Sequence, residues 1–191
     1  MAKPPQTTKT VRQLLCWSYA NLSMAHAALG AGATGYSVKF YSIRSHMNKG
    51  LLEGTIKPRS LVEEDRLKML LPKLCCYCGA EGKLTVDHLM PTKLGGPDTG
   101  DNIVWACGSC NSSKGGKDLL VWFEQRGEFP PLLLLRRYLK LAFAICEDQG
   151  LLDLAPGLLP PLPFDPCKLP QEFPAPSTLR LWVVPLESTR V

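Results

Sequence analysis

The stretch "NIVWACGSCNSSKGG", residues 102–116, holds three kinds of local structure in a row. "NIVWAC" is a short apolar run that opens after a cluster of turn residues, which reads as a strand. Cys107-x-x-Cys110 follows at once as a knuckle, with Gly108 inside the turn. From Asn111, "NSSKGGKDLLVWFEQRG" reads as a helix after a slack first turn. Upstream, "KLTVDH" (83–88) reads as another strand. "LMPTKLGGPDTGD" joins the two as a loop rich in turn residues.

A second knuckle, Cys75-x-x-Cys78, stands before the first strand, with Gly79 directly after it. Residues 79–106 lie between the two CxxC pairs. In a reducing compartment this spacing reads as metal binding rather than as disulfides. Four thiolates make a closed tetrahedral zinc site with arms of about 2.3 Å, and a closed site is structural. Such a zinc also supplies folding energy to a segment with few large apolar residues. Of the eight cysteines, Cys76 is left as a spare thiol. Cys16 and Cys146 fall in apolar helical patterns and read as small core residues.

The 191 residues carry 22 basic and 17 acidic side chains, a formal charge of +5. Residues 1–74 hold eleven Lys or Arg and four acids, net +7, whereas residues 75–118 are close to neutral. The N-terminal third is therefore the surface that would meet a polyanion, or else an ordinary solvated basic face. No apolar run is long enough for a membrane span. "MAKPPQTTKT" lacks the apolar stretch of a signal peptide, so a cytoplasmic location is expected.

Helical periodicity predicts a helix over 10–29, with Val11, Leu14, Leu15, Ser18, Leu22, Ala25 and Leu29 on one face. A shorter helix is expected over 36–48. A third is expected over 60–71, begun by a Ser60-x-x-Glu63 capping box. One or two more helices are expected over 129–153. The run of leucines at 132–135 is either a buried face or a partner surface. Nine prolines fall in 155–191, so this tail either wraps over the domain or stays mobile. "LRLWVV" (179–184) could add an edge strand or a docking motif.

Within the zinc frame stand Asp87 and His88 at the end of one strand, Asn102 at the start of the other, and Asn111 just after the last cysteine. "CCYCG", "LTVDHLMPTKLGG", "DNIVWAC" and "CNSSKGGKD", in that order, resemble the HNH nuclease family over residues 75–118. The resemblance implies an α+β, mainly helical chain with a ββα-metal core. The expected division is a basic helical extension (1–73), the nuclease core (74–125), C-terminal helices (126–154) and the proline-rich tail (155–191).

Carried over residue by residue, the resemblance makes His88 the general base. It makes Asn102 the residue that steadies the loop, and Asn111 a metal ligand in an asparagine variant of the motif. Asp87 takes the place of the metal-binding acid. A neutral imidazole can take a proton from water near neutral pH, with its other ring nitrogen expected on a backbone carbonyl. Asp87 and Asn111 offer hard oxygens suited to Mg²⁺ or Mn²⁺ beside the structural zinc. The implied reaction is hydrolysis of DNA, with RNA also open, to 5′-phosphate and 3′-hydroxyl ends. Lys114, Lys117 and Lys93 are candidates for flanking phosphates, or else solvated loop lysines. His26 and His46 carry no partner motif. The competing expectation is a zinc-ribbon binding module with no catalysis. No reading element for sequence specificity is visible, and restriction, defence, mobile-element and phage roles all fit.

Overall fold

A computed structural model describes residues 9–58 and 73–184. The helix expected over 60–71, with its Ser60–Glu63 box, lies outside the described residues. Five α-helices and one two-stranded antiparallel sheet form the described residues, a mainly helical α+β arrangement. None of these helices is long and apolar enough to cross a membrane.

Helix α1 spans Val11–Gly30. Thr10 caps it: its Oγ1 accepts from Gln13 N–H at 3.3 Å, and Gln13 Oε1 accepts from Thr10 N–H at 3.0 Å. Val11, Leu15, Ser18, Leu22 and Ala25 are buried as the periodicity requires. Helix α2, Val38–Leu52, packs against α1. Strands β1 (Leu84–His88) and β2 (Ile103–Cys107) then pair antiparallel, with Leu84 opposite Cys107 and His88 opposite Ile103. These fall within one residue of the ranges read from sequence.

The single helix expected from Asn111 is two. Helix α3 runs Gly108–Lys114 and α4 runs Leu119–Gln125. Gly115 breaks them with φ +53°, a conformation that only glycine adopts without strain. Asp118 restarts the helix by accepting from the N–H groups of Leu120 and Val121 at 2.9 and 3.2 Å. Helix α5, Leu132–Asp148, is one unbroken helix packed on α1. Leu132, Leu134 and Leu135 are buried in the core, so this run is not a partner surface.

The tail wraps. Residues 155–184 cross the helices as irregular chain with three short 3-10 turns, and Phe164, Leu169 and Leu179 enter the core. "LRLWVV" forms no strand. Instead, the carbonyls of Arg180 and Leu181 accept from the first two N–H groups of α5 at 2.9 and 3.1 Å. Helix α1 begins in the same way: Val11 and Arg12 donate to the carbonyls of Leu154 and Leu152. Helix starts leave orphan donors, and here irregular backbone satisfies them. One buried cluster runs from Val11 and Leu15 through Tyr77, Leu89 and Trp122 to Leu135 and Leu179. It therefore joins the helices, the sheet and the tail.

Candidate metal centre and active site

The two knuckles converge. The sulfurs of Cys75, Cys78, Cys107 and Cys110 all lie within 4.8 Å of one another, and Cys78 Sγ is 3.8 Å from Cys107 Sγ. A tetrahedron with arms of about 2.3 Å has edges of about 3.8 Å, so the four thiolates fit zinc. The backbone builds the cage. Gly79 N–H donates to Cys75 O at 2.8 Å, and Cys76 N–H donates to Trp105 O at 2.8 Å, which ties the first knuckle to β2. Cys110 N–H points at Cys107 Sγ and draws that thiol down to about 7. Burial pushes Cys110 up. Cys76 stands outside the cluster, buried, with its thiol pushed up by that burial to about 11.

Next to the zinc frame, β1 carries Asp87 and His88. Asp87 is 7% exposed, and both its oxygens are engaged. Oδ1 accepts from His88 N–H at 2.8 Å. Oδ2 accepts from the Tyr77 hydroxyl at 2.6 Å and lies 3.3 Å from Lys114 Nζ. Burial and the neighbouring Asp87 carboxylate hold the Tyr77 phenol well above its ordinary range. Asn111 folds back on β1 from α3. Its Nδ2 donates to Thr85 Oγ1 at 2.9 Å and lies 3.3 Å from Val86 O. Thr85 and Asp87 share one face of the strand by alternation, so Asn111 stands on the Asp87 face. With Nδ2 spent on the strand, its Oδ1 is the atom left for a ligand.

Lys114 is not at the surface where a phosphate contact would need it. It is 1% exposed, and its ammonium donates to His88 O at 2.6 Å while pairing with Asp87. Burial lowers its pKa, against an upward pull from Asp87. A buried carboxylate needs a counter-charge more than the surface needs one more lysine. Lys93 and Lys117 are exposed, with Lys117 Nζ donating to Ser113 O at 3.2 Å.

Asn102 is fully buried and closes the loop between the strands. Its Oδ1 accepts from Met90 N–H, and its Nδ2 donates to Met90 O and Pro97 O, each at 2.8 Å. Gly96 is required in that loop, because a Cβ there would sit 2.3 Å from Met90 O. From α5, the Arg137 guanidinium donates to the carbonyls of Gly100 and Asp101. The loop so held brings Asp98 back to the strand end, where its Oδ1 lies 2.9 Å from His88 Nε2.

The partner of the His88 ring is thus a carboxylate and not the backbone carbonyl expected from sequence. An ionised carboxylate only accepts, so this contact suits an Nε2–H, and in a neutral ring of that form Nδ1 is the nitrogen with the lone pair. Sequence reasoning passed over Tyr77, Asp98 and Arg137. "GGPDTG" marks a turn but does not show where the turn points. Arg137 lies 35 residues beyond Asn102, on another element. His26 faces Arg136 across α1 and α5, with Nδ1 2.7 Å from Nη2, and His46 is exposed on α2.

A family model described as HNH endonuclease matches residues 75–117. No curated protein and no solved structure compared with the chain matches it. The matched segment holds the four cysteines, both strands and α3, and the domain it describes supports a nuclease-type function in general terms. Residues 75–117 are an HNH endonuclease domain, with a four-cysteine cluster consistent with the zinc-binding type.

Proposed function

We propose that this chain is a metal-dependent endonuclease that hydrolyses phosphodiester bonds of DNA. The unit that does so is the 74–125 core, and the flanking helices and tail support it. The observation that carries this reading is the seating of Asn111. A residue that directly follows Cys110 in the chain reaches across to β1 and fixes its Nδ2 on Thr85 Oγ1 and Val86 O, just before Asp87 and His88 in the strand.

In this reading His88 Nδ1 takes a proton from the attacking water. Asp98 holds the ring through Nε2 and keeps the lone pair on the opposite nitrogen. Asp87 and Asn111 would hold Mg²⁺ or Mn²⁺. The donor set fits, since both offer hard oxygens, and Asp87 Oδ1 spends only one of its two lone pairs. The ion supplies neutralisation of charge on the scissile phosphate and the leaving oxygen when bound. Asn102 keeps the loop closed, so that Asp98 does not drift from the ring. Lys93 and Lys117 remain the exposed cations for flanking phosphates, and the products are 5′-phosphate and 3′-hydroxyl ends.

A zinc-ribbon binding module without catalysis has one observation in its favour. Asp87 is already neutralised by the buried Lys114 ammonium. Plasmid nicking with Mg²⁺ or Mn²⁺ separates the two readings. The wild type is expected to cut, and His88→Ala is expected to lose cutting by at least about a hundredfold while keeping its zinc. A wild type that cuts with neither metal, and binds DNA no differently from His88→Ala, would sink the nuclease reading.

A further inference from the structure

The first two helices carry none of the candidate site residues, yet a cavity of about 440 Å³ opens where they meet the tail. Lys9, Trp17, Asn21, Tyr36, Tyr41 and Arg44 line it, and residues 171–173 close one side.

The centre of this cavity is a cation without an acid. The Arg44 guanidinium lies 4.6 Å from the Trp17 ring centroid and 4.9 Å from that of Tyr41. Its Nη1 donates to Asn21 Oδ1 at 3.3 Å, a neutral partner. Among the described residues no carboxylate comes within ion-pair distance of it. Arg12, Arg126 and Arg180, by contrast, each face one. Lys9 adds a second exposed cation at the same opening.

The rings are set in advance. Trp17 Nε1 donates to Gln171 O at 3.0 Å and the Tyr36 hydroxyl donates to Pro174 O at 2.9 Å, so their polar ends are spent on the tail and their faces stay in place. Tyr41 is 42% exposed. An uncompensated planar cation, aromatic faces and side-chain amides together suit a ligand with negative charge and a flat π-system. Proteins that hold single strands use this pairing of stacking rings with basic groups. The volume is in the range of small-ligand sites. Glu172 on the rim repels phosphate from that side and can accept from a base amino group.

We propose that this cavity binds one nucleotide unit of single-stranded DNA, with phosphate toward Arg44 and Lys9 and the base against Tyr36 and Tyr41. It lies outside residues 75–117 and would hold a strand whether or not the HNH domain cuts it.

The test is fluorescence anisotropy of a labelled oligothymidylate with the full zinc-loaded chain and no added Mg²⁺ or Mn²⁺. Arg44→Ala and Tyr41→Ala are each expected to weaken binding by about tenfold. Tyr41→Phe should keep the affinity and Arg44→Lys should fall between, with circular dichroism unchanged for both. Lys83→Ala, which removes an exposed positive charge away from the cavity, should bind as the wild type does, which separates this site from a general loss of charge. Displacement by thymidine 5′-phosphate alone would keep the site and make a free nucleotide its ligand. Equal binding by wild type, Arg44→Ala and Tyr41→Ala would overturn the proposal. So would a duplex that competes as strongly as the single strand.

Discussion

At the scale of single residues, Asp98 and His88 set the character of the proposed reaction. Asp98 is largely exposed, so its charge is screened and its value lies in direction more than in field strength. Asp98→Ala is then expected to lower kcat by about tenfold with KM little changed. Asp98→Asn should restore most of it, because an amide oxygen accepts the same Nε2–H. Steady-state cleavage rates of the three proteins check this, and an asparagine variant as slow as the alanine variant would show that the charge itself matters. The sequence offered Asp87, His88 and Asn111 as candidates through the motifs of the family resemblance, with Asn111 directly after Cys110. It could not show Asp98, whose contact with the ring depends on a loop path set by Asn102, Gly96 and Arg137 together. Lys114 was misjudged for a related reason. A lysine in a polar, glycine-flanked run reads as solvated until the carboxylate opposite it is known to be buried.

Among elements, the strands and the knuckles were the most legible, because turn residues bracket each strand and CxxC spacing leaves little freedom. The helix after Asn111 was misread as continuous. "KGGK" carries the break, but the apolar run "LLVWF" beyond it extends the helical pattern and hides the restart at Asp118. That break has a use: it lets Trp122 on α4 turn back so that its ring lies 5.0 Å from Tyr77 and its Nε1 donates to Ser113 Oγ. Tyr77 in turn holds Asp87. The zinc frame and the strand end are therefore one mechanical unit. Cys110→Ser is expected to lower bound zinc well below one ion per chain and to cost about 4 kcal/mol or more of stability. Metal analysis and urea denaturation read both quantities. His88→Ala should keep both zinc and midpoint, which separates loss of fold from loss of chemistry.

For the molecule as a whole, the tail was the least legible part. Proline excludes long helices but leaves open whether the chain lies on the surface or leaves it. What decides the matter is the demand of two helix starts for acceptors, and of core positions for Phe164, Leu169 and Leu179. Each of those side chains contributes roughly 2 kcal/mol by burial. A chain ending at residue 154 is thus expected to melt about 10–20 °C lower in a scanning calorimeter. An unchanged midpoint would mean that the tail is only draped over the helices.

The carbonyls of Arg180 and Leu181 that cap α5 also impose an order on synthesis. A growing chain has all four zinc cysteines in hand by residue 110, so metal can be captured while the rest is still inside the ribosome. The far wall of the N-terminal cavity, residues 171–173, and the cap of α5, residues 180 and 181, come only later in the chain. A product released early would hold its zinc and its HNH residues, yet lack the strap that joins the front of the molecule to the back.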